Sequence, residues 1–228
     1  MATRNCIAIK DSQGSLNVNV GMSYEEWLRV KDEERRKLFL YDHTSPISSR
    51  LYGNVAVSPV SKLIESILLF NQTDRNIPAE NRTPIMLYIS SFGGDMAESF
   101  ALISAIELSK TPIYTVNVGK WSAESFWIGI AGHKRFALPN TVFLMHDGAK
   151  ITEKSSNMSA RFAERFEDDV IKKHILKHST MSPSDYDAAI WPVPLKQTLK
   201  ASHFYMLPND ALKYGFIDEI VTDIDDIL

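Results

Sequence analysis

The feature that most constrains this chain is a twice-repeated change of period, from a short apolar run through a small-residue turn into a helical pattern. Ile85 to Ile89 is a continuous apolar run, too brief for a buried helix and suited to a strand covered on both faces. It leads into Ser91-Phe92-Gly93-Gly94-Asp95, and helical periodicity resumes from Met96 to Leu108. A second strand, Ile113 to Val118, ends at Gly119 and gives way to a helix over roughly Ala123 to Ala131. Crossovers of about 20 residues are long enough to return a chain parallel to itself, so the pattern predicts a parallel-type α/β sheet.

The flanks fit that core. Ser58 can cap a helix, Pro59 suits its first turn, and Val60, Leu63, Ile64, Ile67 and Leu68 follow the i, i+3, i+4, i+7, i+8 rhythm. Asn71 to Arg82 reads as a polar loop. Arg135 to Ala137, a turn at Leu138-Pro139-Asn140 and Val142 to His146 read as a hairpin-like unit. A polar loop from Asp147 to Asn157 and a long charged helix from Ser159 to Lys177 follow. Ser182-Pro183 opens a shorter helix with Asp185 placed to cap it; Asn209 to Tyr214 forms another, stopped by Gly215, before a strand at Ile217 to Val221.

Residues 1–54 differ in character. Ser23 and Glu26 have capping-box spacing, and the pattern continues through Trp27, Leu28 and Val30 into the charged Lys31 to Lys37, a solvated helical arm. The length of 228 residues suits one compact domain, residues 55–228, with this arm appended. A net charge of −3 gives no reason to expect nucleic acid or an anionic membrane as partner. No apolar run is long enough to span a bilayer, and Met1 to Gly14 lacks the apolar core of a secretory signal. A single cysteine, Cys6, excludes an internal disulfide; a reducing, cytoplasmic setting is expected.

Three places could carry chemistry. Adjacent glycines at Gly93-Gly94 let the backbone aim N–H groups at an oxyanion, although such pairs are more often only tight connections. Gly119 to Ser125 places Ser122 and Ser125 near a helix start, where a hydroxyl with a base in reach becomes a nucleophile and otherwise merely caps. His146 closes an apolar strand and is a candidate general base beside those turns. His174 and His178 have a spacing that can bind metal, but no carboxylate or cysteine set completes a site. They read as a solvated helix face, and no metal or cofactor is expected. Lys120 as base to Ser122 is a weaker combination, and Phe126 and Trp127 read as core or subunit contact.

Taken in order, these segments resemble the ClpP-type serine peptidase family. Ile85 to Gly94 is similar to its strand and Ser-Pro-Gly-Gly turn, and Val118-Gly119 through Ala131-Gly132 to its nucleophile segment. Lys134 to Asn140 is close to the stretch that follows, and Met145-His146 falls at the catalytic histidine. Ser159 to Lys177 matches the helix mediating ring-to-ring contact, and Ala211 to Asp218 a C-terminal motif, so the resemblance covers roughly Leu51 to Thr222. It implies a ClpP/crotonase-like spiral of βαβ units with a protruding handle at about 147–180. It also implies homo-oligomeric heptameric rings, stacked as a tetradecamer or mixed with an active paralogue, an AAA+ unfoldase on the ring face, and polypeptide substrates.

The departures are as informative. Counting from Gly119 and back from Ala131-Gly132 puts Ala123 at the nucleophile position, where a methyl group cannot attack a carbonyl. Counting back from Tyr214-Gly215 puts His203 where the family keeps an aspartate, and an imidazole cannot stabilise the imidazolium of His146 as a carboxylate does. Glu124 takes the residue whose N–H should join Gly93 and Gly94 in the oxyanion hole, adding charge of the wrong sign; Phe92 replaces proline. The expectation is a ClpR-like subunit with a degenerate triad. An active endopeptidase is the alternative, with Ser122 as displaced nucleophile or Ala123 as an engineered replacement of serine. Substitute carboxylates at Asp147, Asp168 and Asp169 are weaker candidates, and a crotonase-like acyl-CoA enzyme is the alternative from another class.

Overall fold

A computed structural model describes residues 8–10, 16–18, 31–32, 34–41, 50–52, 55–146, 167–190 and 203–228. The strands are β1 (Ala8–Lys10), β2 (Leu16–Val18), β3 (Lys37–Tyr41), β4 (Arg50–Tyr52), β5 (Val55–Val57), β6 (Ile85–Ser91), β7 (Ile113–Ser122), β8 (Lys134–Ala137), β9 (Val142–His146), β10 (His203–Met206) and β11 (Glu219–Ile220). The helices are α1 (Pro59–Thr73), α2 (Met96–Leu108), α3 (Glu124–Ile130), α4 (Lys173–Lys177), α5 (Pro183–Ile190) and α6 (Pro208–Lys213). A π-helical turn, Glu167–Lys172, leads into α4. The Ser23–Glu26 capping box, the loop from Asp147 to Asn157 and the first half of the helix expected from Ser159 lie outside the described residues.

Seven strands form the main sheet, running β10-β9-β7-β6-β3, with β8 also on β7 and β11 on β8. β3, β6, β7 and β8 are mutually parallel neighbours, as the crossover lengths predict. Alternation along β6 explains its uniform apolarity. Ile85, Leu87 and Ile89 face a large core with α1, α2 and α3, while Tyr88 faces a smaller one with Val116, Phe136 and Ile227. Local signals act where expected. The Ser58 side chain accepts the Val60 N–H ahead of Pro59, and the Asp95 carboxylate accepts the Glu98 N–H to start α2.

Two expectations are corrected. β7 does not end at Gly119: it continues to Ser122, because Lys120, Trp121 and Ser122 pair with Val142, Phe143 and Leu144 of β9. The glycine serves a close approach instead, since a Cβ there would meet the Ser90 hydroxyl at 2.4 Å. Nor do β8 and β9 form a hairpin. Both run parallel to β7, β8 on its first half and β9 on its second, so Leu138-Pro139-Asn140 steps the chain along β7 and does not reverse it. Smaller differences are that α1 extends through Thr73 into the expected loop and that Ser182 caps α5 while Asp185 reaches back to it.

Candidate active site

The sheet brings the two turns to one edge. Ser91, last in β6, pairs with Trp121 of β7 after an irregularity in the ladder, so Gly93-Gly94 lies beside the elbow between Ser122 and Glu124. At that elbow Ala123 has φ 53° and ψ −125°, a region that residues with a Cβ avoid at a cost of about 1–3 kcal/mol. Its surroundings over-determine it. The Ala123 N–H donates to the Leu144 carbonyl at 3.1 Å, and its own carbonyl accepts from Phe126 and Trp127. The fully buried Ser125 hydroxyl accepts the Ser122 N–H and lies 2.8 Å from the carbonyl oxygens of both Ser91 and Ser122. Ser125 is therefore a brace between two strand ends: its contacts with Ser122 are local, but the one that joins it to β6, at Ser91, is 34 residues away and could not be read from the sequence.

Around this elbow the polar groups are already committed. The Gly94 N–H donates to Glu124 Oε2 at 2.9 Å, and the Gly93 N–H to the Ser91 hydroxyl at 3.2 Å. Gly93 has φ 106°, and a Cβ there would lie 2.4 Å from Glu124 Oε2 and 2.7 Å from the Ala123 methyl. The Glu124 carboxylate thus rests on the glycine turn that would receive a developing oxyanion. A second negative charge about 4 Å from it would be opposed by roughly 4 kcal/mol at an effective dielectric near 20.

His146 ends β9, two residues beyond Leu144, which pairs with Ser122; at about 3.3 Å per residue this sets it level with the start of α3. His203 opens β10 directly opposite His146, their ring centroids 5.5 Å apart. His203 also stacks on Tyr205. Ser122 is 3% exposed at the end of the strand, and the Lys120 ammonium sits 4.3 Å above the exposed Phe92 ring, which occupies it as a cation–π pair. Phe126 and Trp127 are buried in the core. Asp147 lies outside the described residues, as do the side chains of Asp168 and Asp169.

The chain matches the Clp protease family over residues 48–223. The chain belongs to the Clp protease family. Among its curated relatives, an ATP-dependent Clp protease proteolytic subunit from Dehalococcoides mccartyi is 29% identical over 176 residues, covering 74% of this chain and 79% of the relative. Another, from Deinococcus radiodurans, is 29% identical over 142 residues, 60% of this chain and 64% of the relative. The fold is that of ClpP: a ClpP1 point mutant from Listeria monocytogenes superposes with a TM-score of 0.64 at 20% identity, covering 88% of this chain and 99% of that one. The segments that carried the resemblance, from β6 to α6, fall inside the matched residues. No helix among the described residues is long and apolar enough to cross a membrane.

One reading of the sequence is overturned. His174 and His178 are not a solvated face: the His174 side chain is only 6% exposed and that of His178 16%. Glu107 of α2 joins them, its carboxylate 2.7 Å from His178 Nε2 and 3.5 Å from His174 Nδ1. The completing carboxylate comes from a separate element 67 residues earlier in the chain than His174, so no spacing rule could reveal it.

Proposed function

We propose that this chain is a ring-forming Clp protease-family subunit that does not itself hydrolyse peptides. The observation that carries the reading is the elbow at Ala123: the strained backbone of a nucleophile turn holds a methyl group, and the neighbouring Glu124 carboxylate fills the glycine turn. Without a nucleophile, roughly 10⁶-fold of rate is absent, and further losses add little because triad members act together. His203 opposite His146 supports the same reading, since an imidazole gives no anionic support to an imidazolium. Ser122 is a poor substitute, being buried on the strand before the elbow. An acyl-CoA role is disfavoured because the Gly94 N–H that would polarise a thioester already serves Glu124.

The subunit acts in the cytoplasm, in heptameric rings with copies of itself or an active paralogue, stacked around a chamber that receives polypeptides from an AAA+ unfoldase. Residues 55–228 form the domain, with a handle near 147–180, and the preceding arm also lends β3 to the main sheet, where Leu38 and Leu40 pack in the core. Fluorophosphonate labelling and fluorogenic-peptide hydrolysis test the silent site. The expected result is no signal from the wild type or from Ala123→Ser, and signal from Ala123→Ser combined with Glu124→Ala and His203→Asp. Wild-type turnover abolished by Ser122→Ala would overturn the reading. Light scattering that finds only monomer, alone and with an active relative, would overturn the ring.

A further inference from the structure

At the base of the handle, three side chains from two elements converge in a way that the peptidase fold does not require. His174 lies on α4, its ring 6.0 Å from Phe100 in an edge-on contact, with Nε2 2.9 Å from the Trp127 carbonyl oxygen. A carbonyl only accepts, so Nε2 carries the proton and donates it. Nδ1 of the neutral ring is then a bare lone pair, and it faces Glu107 Oε1 at 3.5 Å. Two acceptors face each other inside the molecule. A cation between Nδ1 and Oε1 would satisfy both, whereas Lys177 reaches only the carboxylate.

The other groups around Glu107 answer its charge by donating to it, at a place a metal ion could take instead. His178, one helical turn after His174, places Nε2 2.7 Å from Glu107 Oε1, and the two imidazole rings are 4.7 Å apart. Lys177 brings its ammonium to 3.0 Å from the same oxygen, making it the chain's own occupant of this place. Its side chain is 60% exposed, however, so it can leave for water at little cost. Burial would raise the Glu107 pKa, but the His178 and Lys177 hydrogen bonds outweigh that and hold the carboxyl below its ordinary value, so it is anionic.

We propose that Glu107, His174 and His178 form a binding site for a divalent transition metal of the zinc class, which ties the base of the handle to α2. Glu107 Oε1, His174 Nδ1 and His178 Nε2 are the ligand atoms, all within 4.8 Å of one another. Tetrahedral zinc with bonds near 2.0–2.1 Å needs ligand atoms about 3.4 Å apart. The 3.5 Å pair already meets this. The 2.7 Å pair must open by under about 1 Å when the metal replaces a direct hydrogen bond and His178 gives up its Nε2 proton, to solvent or by shifting to the Nδ1–H tautomer. The His174–Trp127 hydrogen bond supplies the outer support that metal-binding histidines use to fix tautomer and ring orientation. With Glu107 28% exposed, a fourth position stays open to water. Two nitrogens and one carboxylate favour zinc, cobalt or nickel over magnesium and calcium, which take oxygen shells.

The test is titration of the chelator-stripped full-length protein with zinc, read by calorimetry, and with cobalt, read by the visible absorption of a tetrahedral centre. One equivalent of zinc per chain is expected, with magnesium and calcium giving no heat. Glu107→Gln and His178→Ala should each weaken binding at least about tenfold, and Lys177→Ala should strengthen it. His146→Ala with His203→Ala should leave it unchanged, separating this site from the other histidine pair. Circular dichroism checks each variant's fold, and His178→Gln replaces any alanine variant that fails it. Zinc bound as tightly by folded Glu107→Gln and His178→Gln, or bound by neither the wild type nor Lys177→Ala, would overturn the proposal.

Discussion

Glu124 and Glu107 are two carboxylates in opposite situations. At Glu124 the backbone builds the site: two strand ends, a glycine turn and a residue at φ 53° create a place for an anion, and the side chain fills it by taking the Gly94 N–H. At Glu107 side chains build the site, gathered from the end of one helix and from a short helix that follows a π-helical turn. The first place is made by a backbone turn; the second gathers a carboxylate and two imidazoles without a sequence motif. A third carboxylate shows a site with nothing left to accept. Asp74, 1% exposed, takes two hydrogen bonds from Arg36 and one from Thr111.

The largest expected effect tests whether backbone dictates the first place. Gly93→Ala should cost more than about 4 kcal/mol in urea unfolding, since its Cβ has no room and φ 106° is strained for alanine. Adding Glu124→Ala removes the 2.4 Å contact but leaves the Ala123 methyl at 2.7 Å, so only part should return. Full recovery would make the turn side-chain-built, like Glu107, and erase the contrast.

Next is the satisfied reference. Arg36→Met should cost about 3 kcal/mol, because it strands a buried carboxylate whose main partner is gone. Arg36 hydrogen bonds hold the Asp74 carboxyl below its ordinary 3.8 against burial, with Thr111 assisting. The folded pKa is depressed, so the unfolded chain binds more protons as pH falls. The stabilisation is therefore complete above about pH 4 and is lost as pH drops through the folded value. Acid titration of stability should fall more steeply for the wild type than for Arg36→Met; parallel curves would show that Asp74 is not the group responsible.

These two places also mark how much of the molecule could be read in advance. The parallel character of the sheet and the Gly-Gly turn follow from local period and crossover length, and the Ala123 elbow from the family resemblance. Strand order does not, because it depends on pairings between segments remote in the chain. The extension of β7 past Gly119 was hidden since it depends on β9 pairing with Lys120 to Ser122. The hairpin reading of β8 and β9 failed because a short turn signals a change of direction, whereas both strands belong to one long neighbour. The Ser91 contact of Ser125 and the histidine partners of Glu107 were invisible for the same reason: tertiary packing brings them together.

A smaller effect separates the brace from the nucleophile. Ser125→Ala should cost about 2 kcal/mol, as it leaves the buried Ser122 N–H without its acceptor and removes the hydroxyl from two carbonyls. It should do so without any change in fluorophosphonate labelling. Labelling lost on this substitution would move the chemistry to Ser125 and end its structural reading.

The smallest effect is the most diagnostic of stored strain. Ala123→Gly deletes a buried methyl, worth about 0.8 kcal/mol, and adds unfolded-state freedom worth roughly 0.5–1 kcal/mol. Against this it relieves about 1–3 kcal/mol of backbone strain at φ 53°. The sum should leave stability between about 1 kcal/mol below and about 2 kcal/mol above wild type. Ala105→Gly, in the interior of α2 beside Glu107, has no strain to release and should lose about 1 kcal/mol. If Ala123→Gly instead loses about 2 kcal/mol or more, the elbow is not strained, and the geometry that sets the first carboxylate apart from the second is ordinary after all.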